Sequence, residues 1–392
     1  MYSHIIFFLL AILQLFSIAY SQSLPSFLPI KEPFDNIEKI IETYNFKSFD
    51  LDKENKLYTN IDIDSNLVDT VNKIILAQDD LFVLKSNPYD ILLIDNPNMN
   101  SVDGVAEKDY VIVEGDFKKD PKNYTIVISH ELMHRYIGHI IEQDNDKKIE
   151  IMYKWFFEGF TEFYGAKALI DAKLINTDEY LKIVNITLQK YFNSPINKIS
   201  FEKMDEKHLL SNNINMITYY QKGFILAMII DEKLRERKYN LLNIVNKIIS
   251  ETTLKQVDFN TDLFTSYLRE HLPESFIKKF VSSINNPSTL LTLLPHRLLN
   301  KNLTFQDTES HSDICFDLTK SLELRKIHEV KLNSDCYNRG LRDGQALKCY
   351  SMYFYNGSIK NGDIELKVLE NEIPRIVHIK AGKTIKRIPV YN

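Results

Sequence analysis

The stretch HELMH at His130–His134 decides the fold that we predict for this 392-residue chain. Residues four apart lie on one face of an α-helix, so His130 and His134 aim their rings at a single point. The pattern HExxH is typical of zinc sites in which the glutamate, here Glu131, serves as a base. Because so short a pattern also occurs by chance, the surrounding segments are needed to support it.

A second stretch, WFFEGFT at Trp155–Thr161, offers the third ligand that a catalytic zinc site requires. Such sites hold the metal with three protein ligands and leave a fourth position open. His139 does not have the spacing of a three-histidine motif. Glu142 lies two turns beyond His134 on the same helix, which is too far to close a tetrahedral site. We therefore predict Glu158, on a following helix, as the third ligand.

Three more residues complete the predicted chemistry. Glu131 lies beside the open position and takes a proton from the attacking water. Glu162, one turn after Glu158, accepts a hydrogen bond from a ligand histidine, with an ordinary exposed glutamate as the alternative. Tyr220, in the stretch Tyr219–Gly223, donates its phenol to the oxygen on which negative charge builds. Together these residues predict a zinc peptidase that acts on peptide or protein substrates.

The segments around the motifs predict a small mixed sheet followed by helices. The predicted strands are residues 57–63, 90–94 and 110–113. A turn-rich stretch, 96–104, separates the last two strands. Helical spacing predicts helices around Phe34–Tyr44, from Ser65 to Lys85, from His130 to Glu142 and from Tyr219 to Leu234. This order predicts a catalytic domain of the α+β class.

The sequence after about residue 303 changes to short β-like runs with glycines between or beside them. The predicted strands are residues 327–332, 364–368 and 375–379. They predict a second, β-rich domain of about 90 residues.

The composition, with 44% hydrophobic and 26% charged residues, is that of a globular protein. The net charge is -5 and no basic stripe is visible, which argues against nucleic acid as a partner. One disulfide is expected among Cys315, Cys336 and Cys349 if the protein is exported, and the sequence leaves the pairing open.

The N-terminus predicts export. An apolar run at Ile5–Leu13 and small residues around Ala19–Ser21 indicate a signal peptide, residues 1–21, cleaved before Gln22. A retained membrane anchor is the alternative, but the run is short for a span of about 20 residues. We expect a secreted or periplasmic protein without a stable membrane span after cleavage.

Taken in order, the motifs resemble the gluzincin peptidases, which include the M1 aminopeptidases and the M61 (glycyl aminopeptidase-like) family. The match to M61-like proteins is the closer one. Those proteins show HExxH, then a Trp-x-x-Glu-Gly-Phe-Thr helix, a Tyr-x-x-Gly stretch that opens another helix, and a PDZ-like domain. Here the corresponding segments are His130–His134, Trp155–Thr161, Tyr220–Gly223 and the region after 303.

The resemblance implies a thermolysin-like gluzincin domain, a small mixed sheet plus a helical subdomain, followed by a PDZ-like domain. It also implies a Zn2+ cofactor at His130, His134 and Glu158, a general base at Glu131 and an oxyanion donor at Tyr220. The predicted organisation is a signal peptide at 1–21, a peptidase domain at 22–302 and a PDZ-like domain at 303–392.

The chain departs from the family where aminopeptidases bind the amino group of the substrate. The nearest stretch is 103–108, in which Glu107 is the candidate. We expect the large N-terminal β-domain usual in the family to be shortened or absent, and the spacing between His134 and Glu158 differs from that of M1 enzymes. An endopeptidase of the same fold is therefore the first alternative to an aminopeptidase. The second is a non-catalytic protein that binds peptide C-termini in the PDZ-like groove.

Overall fold

The computed structural model describes most of the chain after residue 45. The described residues are 41, 46–61, 65–84, 88–99, 102–107, 109–138, 147–199, 213–355, 358–370 and 372–392. The predicted signal peptide, most of the helix around Phe34–Tyr44, and the side chains of His139 and Glu142 lie outside them. Two units are distinguished, Met1–Val68 with Pro88–Val127 and Asp69–Asn87 with Ile128–Asn392. Within the described residues, no helix combines the length and apolarity needed to cross a membrane.

The first unit contains a five-stranded mixed sheet. Its strands are β1 (Lys47–Asp50), β2 (Lys56–Thr59), β3 (Asp90–Asp95), β4 (Asp103–Ala106) and β5 (Tyr110–Gly115), in the order β1-β2-β3-β5-β4. The central strands β2, β3 and β5 are parallel, and both edge strands are antiparallel to their neighbours. Parallel strands covered on both faces have continuous apolar runs, which is why the sequence predicted β3 and β5 correctly.

Strand β4 lies within and just beyond the stretch that was predicted as turns, 96–104. It pairs antiparallel with β5, with Asp103 opposite Glu114. Its side chains are exposed or half-buried, so the sequence has no alternation of apolar residues that would predict a strand here. The edge position, and not its composition, makes this segment a strand.

Nine α-helices with defined ends lie between residues 65 and 293 in the described part of the chain. They are α1 (Ser65–Leu81), α2 (Pro121–Ile137), α3 (Lys147–Asp171), α4 (Thr177–Asn193), α5 (Asn213–Arg235), α6 (Leu241–Lys255), α7 (Thr261–Arg269), α8 (Glu274–Asn285) and α9 (Pro287–Leu293). Helix α5 is buried on all sides over residues 221–231. A helix that is buried on every face lies at the centre of its core.

Helix α2 begins at Pro121, nine residues before the predicted start at His130. Proline suits the first turn of a helix, and the Asp120 carboxylate accepts the Asn123 backbone N–H at 3.1 Å. The hydroxyl of Tyr124 then donates to the carbonyls of Ile94 and Val113, at the ends of β3 and β5. The apolar stretch before HELMH is therefore the first half of the same helix.

Aromatic rings fill the space around α3. The Trp155 ring is 1% exposed and makes edge contacts with Phe156, Phe160, Phe264 and Phe280. This packing confirms that the segment carrying Glu158 is a buried helix with aromatic neighbours.

The C-terminal strands form two three-stranded sheets. The elements are β6 (Arg297–Leu298), β7 (Lys301–Asp313), α10 (Leu318–Leu324), α11 (Asp335–Asn338), β8 (Leu347–Tyr355), β9 (Ser358–Glu370), β10 (Ile373–Lys380) and β11 (Gly382–Tyr391). The sheet orders are β10-β9-β8 and β11-β7-β6. The strands predicted at 364–368 and 375–379 are confirmed as parts of β9 and β10.

The strand predicted at 327–332 is wrong. That stretch is irregular: the Ile327 N–H donates to the Gln345 carbonyl, and the Lys331 N–H to the Cys315 carbonyl. Glu329 has a φ of 56°, which a strand does not allow. The disulfide between Cys315 and Cys336 closes the loop around this stretch.

The C-terminal strand packs on helix α4. The side-chain amide of Asn185 accepts the Tyr391 N–H at 2.9 Å and donates to the Tyr391 carbonyl at 3.0 Å. Lys386 Nζ donates to the Asn193 carbonyl at 2.8 Å. The domain boundary at 302/303 and the PDZ-like character of residues 303–392 stay predictions.

Candidate metal centre

Three helices of the second unit supply the predicted site residues. Helix α2 carries His130, Glu131 and His134, helix α3 carries Glu158, and helix α5 carries Tyr220. The histidines are one turn apart on α2, as the spacing requires. The structure brings all five side chains together.

The two histidines and Glu158 converge on one point. Nε2 of His130 and Nε2 of His134 lie 3.1 Å apart. Oε2 of Glu158 lies 3.3 Å from Nε2 of His134 and 3.6 Å from Nε2 of His130. Among the described side chains, this is the one group of three or more His, Cys, Asp or Glu residues close enough to share an ion.

The separations of these atoms fit a tetrahedral zinc ion. Ligand atoms about 2.0–2.1 Å from one zinc ion in that geometry lie roughly 3.3 Å from each other. The observed 3.1, 3.3 and 3.6 Å bracket this value. Oε2 of Glu158 is also buried without a hydrogen bond, which is costly unless a cation pairs with it. Two imidazoles and one carboxylate are a donor set that zinc favours.

The cluster attracts positive charge. Burial raises the pKa of the Glu158 carboxyl, but the adjacent His130 and His134 outweigh it and hold that pKa well below its usual value. Burial lowers the pKa of His130, but Glu158 and Glu162 outweigh it and raise that pKa well above its usual value. A proton and a metal ion would therefore compete for the same ring nitrogens.

Glu162 makes the contact predicted for it. Its Oε2 lies 2.8 Å from Nδ1 of His130. Burial raises the pKa of Glu162, but the contact with His130 and the charge of Lys190 outweigh it and lower that pKa. An ionised carboxylate this close to Nδ1 favours the tautomer with its proton on that nitrogen, which leaves Nε2 of His130 free for a metal. The alternative of an ordinary surface glutamate is not favoured by this geometry.

Glu131 lies beside the ligands and is 7% exposed. Burial raises the pKa of its carboxyl, and the neighbouring His130 and His134 oppose the rise only in part. A general base is most effective when its pKa lies near the working pH. The raised pKa of Glu131 is thus suited to accepting and returning a proton.

The Tyr220 ring stacks on the His130 ring with a centroid distance of 5.5 Å and an angle of 27°. Its hydroxyl lies near the Glu158 carboxylate. Burial raises the pKa of Tyr220 well above its usual value, and the charge of Glu158 adds to the rise. The phenol therefore stays protonated at neutral pH and is available as a donor next to the cluster.

A buried polar network beside His130 was missed by the sequence analysis. The Gln78 side chain donates to the Ser129 carbonyl at 2.7 Å, and the Ser129 hydroxyl donates to the Gly165 carbonyl at 2.9 Å. These bonds join α1, α2 and α3 next to the first ligand. The only signal in the sequence is a serine inside an apolar run.

The remaining candidates are His139, Glu142 and Glu107. His139 and Glu142, the two rejected ligands, lie outside the described residues. Glu107 follows strand β4 in the first unit, where its N–H donates to the Tyr110 carbonyl at 2.8 Å. Its role in binding an amino group stays a prediction.

The sequence of residues 123–226 matches the family model of the M61 glycyl aminopeptidases. The matched segment includes HELMH, WFFEGFT and Tyr220, so the predicted family resemblance is confirmed. No curated protein sequence matches the chain.

Solved structures are also similar to this chain. An aminopeptidase N family protein from Idiomarina loihiensis matches with a TM-score of 0.53 and 15% identity, over 87% of this chain and 68% of that one. Two structures of leukotriene A4 hydrolase from yeast (Saccharomyces cerevisiae) match with TM-scores of 0.44 and 0.42 and identities of 15% and 16%. They cover 65% and 62% of this chain, which spans 40% and 38% of the hydrolase. The first match shows that the chain shares its fold with that aminopeptidase N family protein.

Proposed function

We propose that this M61-family chain, related to the M1 aminopeptidases, is a zinc-dependent metallopeptidase that removes residues from the N-termini of peptides. The observation that carries the proposal is the convergence of His130, His134 and Glu158 beside Glu131 and Tyr220. Export through the N-terminal signal is part of the proposal and rests on the sequence of residues 1–21.

The metal would be held by Nε2 of His130, Nε2 of His134 and a carboxylate oxygen of Glu158. When bound, zinc supplies Lewis acidity, which makes water easier to deprotonate and polarises the scissile carbonyl. Glu162 keeps the His130 ring in the orientation and tautomer that this binding needs.

Glu131 moves the proton. Its carboxylate accepts a proton from the attacking water and delivers it to the nitrogen of the leaving amine. Its burial among the ligands keeps bulk water from competing for that proton.

Tyr220 stabilises the developing charge. As the water oxygen bonds to the carbonyl carbon, negative charge builds on the carbonyl oxygen, and the phenol donates a hydrogen bond to it. Removal of one such donor typically costs about 10²–10³ in kcat.

Mass-spectrometric mapping of cleavage tests the proposal. The zinc-loaded chain without residues 1–21 would be incubated with a peptide library in which each peptide has a free or an acetylated N-terminus. An aminopeptidase shortens only the free peptides, one residue at a time. Internal cuts in both forms would establish an endopeptidase. No cleavage of any peptide, with one zinc bound, would overturn the proposal and favour the peptide-binding alternative.

A further inference from the structure

Helices α3 and α5 touch backbone to backbone at two glycines. A Cβ atom on Gly223 would lie 1.7 Å from the Trp155 carbonyl oxygen and 2.7 Å from Cα of Gly159. A Cβ atom on Gly159 would lie 2.2 Å from Cα of Gly223. Real Cβ atoms do not come within 3.0 Å of such neighbours, so any larger residue forces the two helices apart.

Neither glycine is needed for an unusual backbone conformation. The glycines with positive φ are Gly340, Gly344 and Gly362 in the described chain. Glycine inside a helix costs about 0.5–1 kcal/mol relative to alanine. Two such residues in facing helices are therefore explained by the close approach that they permit.

The crossing lies between two functional side chains. Gly159 directly follows the ligand Glu158, and Gly223 comes one turn after Tyr220. The Tyr220 ring stacks on the ring of His130, which lies beside Glu158. Any separation of α3 and α5 at the glycines would therefore carry the phenol away from the ligands.

We propose that Gly159 and Gly223 are positioning residues, whose backbone contact sets the reach of the Tyr220 phenol to the carbonyl oxygen of a bound substrate. The proposal rests on the proposed function, because it assigns Tyr220 its role there. A displacement of about 1 Å in a catalytic group can cost on the order of 10²-fold in rate.

A second crossing on α3 offers a matched control. A Cβ atom on Gly165 would lie 3.3 Å from the Ser129 carbonyl oxygen and 3.4 Å from Cα of His130. That is a tight contact, but the neighbours need to give by only a few tenths of an ångström. Gly165→Ala thus adds the same methyl group at a different helix crossing, that of α3 with α2, also beside a ligand, and requires only this small movement of its neighbours.

The test is a double-mutant cycle between Gly223→Ala and Tyr220→Phe on the zinc-loaded chain. We expect Gly223→Ala to keep one zinc, to leave KM nearly unchanged and to lower kcat by about 10²-fold. In the Tyr220→Phe background the same change should cost less than about threefold, because the displaced group is already absent. Equal losses in both backgrounds would overturn the proposal, and so would a loss as large in Gly165→Ala.

Calorimetric binding of a peptide hydroxamate, a zinc-binding mimic of the reacting group, gives a readout independent of turnover. Wild type should bind it more tightly than Tyr220→Phe, and Gly223→Ala should resemble Tyr220→Phe. If wild type and Tyr220→Phe do not differ in rate or binding, the proposed role of Tyr220 fails before any glycine is changed. Wild-type binding by Gly223→Ala would overturn the positioning role alone.

A milder change covers the case in which Gly223→Ala does not fold, which thermal melting would reveal. Ala227 is fully buried one turn further along the same face of α5. Ala227→Val would add two methyl groups near this helix crossing, without placing a Cβ atom directly against the backbone of α3. In the same cycle its loss of kcat should again depend on Tyr220, and a loss that persists in Tyr220→Phe would contradict the proposal.

Discussion

Ionisable side chains are buried in the helices around His130, His134 and Glu158, whereas those on the C-terminal strands are exposed to solvent. His130 and Glu131 are each 7% exposed and lie among further ionisable groups. On the C-terminal strands, ion pairs such as Lys380 with Asp363 keep 63% and 61% of their side chains in water. Burying charge costs free energy, whereas exposed pairs cost and contribute little. The buried charged groups around His130 are therefore kept for chemistry and not for stability.

The largest expected effect is that of Glu131→Gln. The amide has nearly the same shape but does not accept the proton, so kcat should fall by about 10²–10⁴-fold. Metal analysis should still find one bound zinc, because the three ligands are intact. Wild-type turnover by this variant would show that the buried carboxylate has no chemical role, contrary to the view that the buried charges are kept for chemistry.

Glu162→Gln should weaken the metal site itself. Loss of the carboxylate that faces Nδ1 of His130 should lower zinc affinity by about 10–100-fold, as measured by competition with a chelator. Asp171→Asn is the control, since it removes a carboxylate at the exposed end of the same helix. Equal affinities in the two variants would mean that the 2.8 Å contact does not support the ligand.

Lys222 shows what a buried charge costs when it serves no chemistry, because it is buried outside the group of His130, His134 and Glu158. Its Nζ donates to the Ile284 carbonyl at 2.8 Å, and burial lowers the pKa of Lys222 from 10.5 to about 7. Between pH 7 and pH 10.5, Lys222 is protonated in the unfolded chain and largely neutral in the folded one. The unfolded chain therefore binds more protons, and the free energy of unfolding should rise with pH.

Replacement by methionine should remove that pH dependence. The stability of Lys222→Met relative to wild type should fall by about 2–3 kcal/mol between pH 7 and pH 9, as wild type recovers. Denaturant titrations at several pH values measure this. Lys182→Met, at an exposed position on α4, should run parallel to wild type. If the free energy of unfolding of Lys222→Met has the same pH dependence as that of wild type, burial does not penalise the charge on Lys222.

The smallest expected effect is at the surface of the C-terminal region. Lys331 and Asp313 pair at 2.8 Å with 59% of each side chain exposed. Lys331→Ala should leave the thermal midpoint and kcat within the scatter of replicate measurements. A clear loss of either would show that this surface contributes to folding or to the site, contrary to the comparison.

The sequence predicted the metal cluster better than the fold around it. His130 and His134 follow from helical spacing, a local rule, and Glu158 was selected among three candidates by the number of ligands that zinc requires. Tyr220 and Glu162 were predicted from the chemistry that a zinc peptidase requires, and the structure places both beside His130.

What the sequence did not predict depends on contacts between distant segments. Strand β4 exists because it pairs with β5, and the stretch 327–332 is irregular because Cys315 and Gln345 hold its backbone. The bond from Gln78 to Ser129 spans 51 residues, and no periodicity announces such a pair. The approach of Gly159 to Gly223 is likewise visible only in three dimensions.

Metal reconstitution tests whether zinc held by His130, His134 and Glu158 is required for peptide cleavage. The chain would be stripped of metal with a chelator, and peptide cleavage would be measured as zinc is added back. The account predicts no turnover without metal, full recovery at one zinc per chain, and no recovery in Glu158→Ala at that ratio. Cleavage by the stripped protein, or recovery in Glu158→Ala equal to that of wild type, would contradict it.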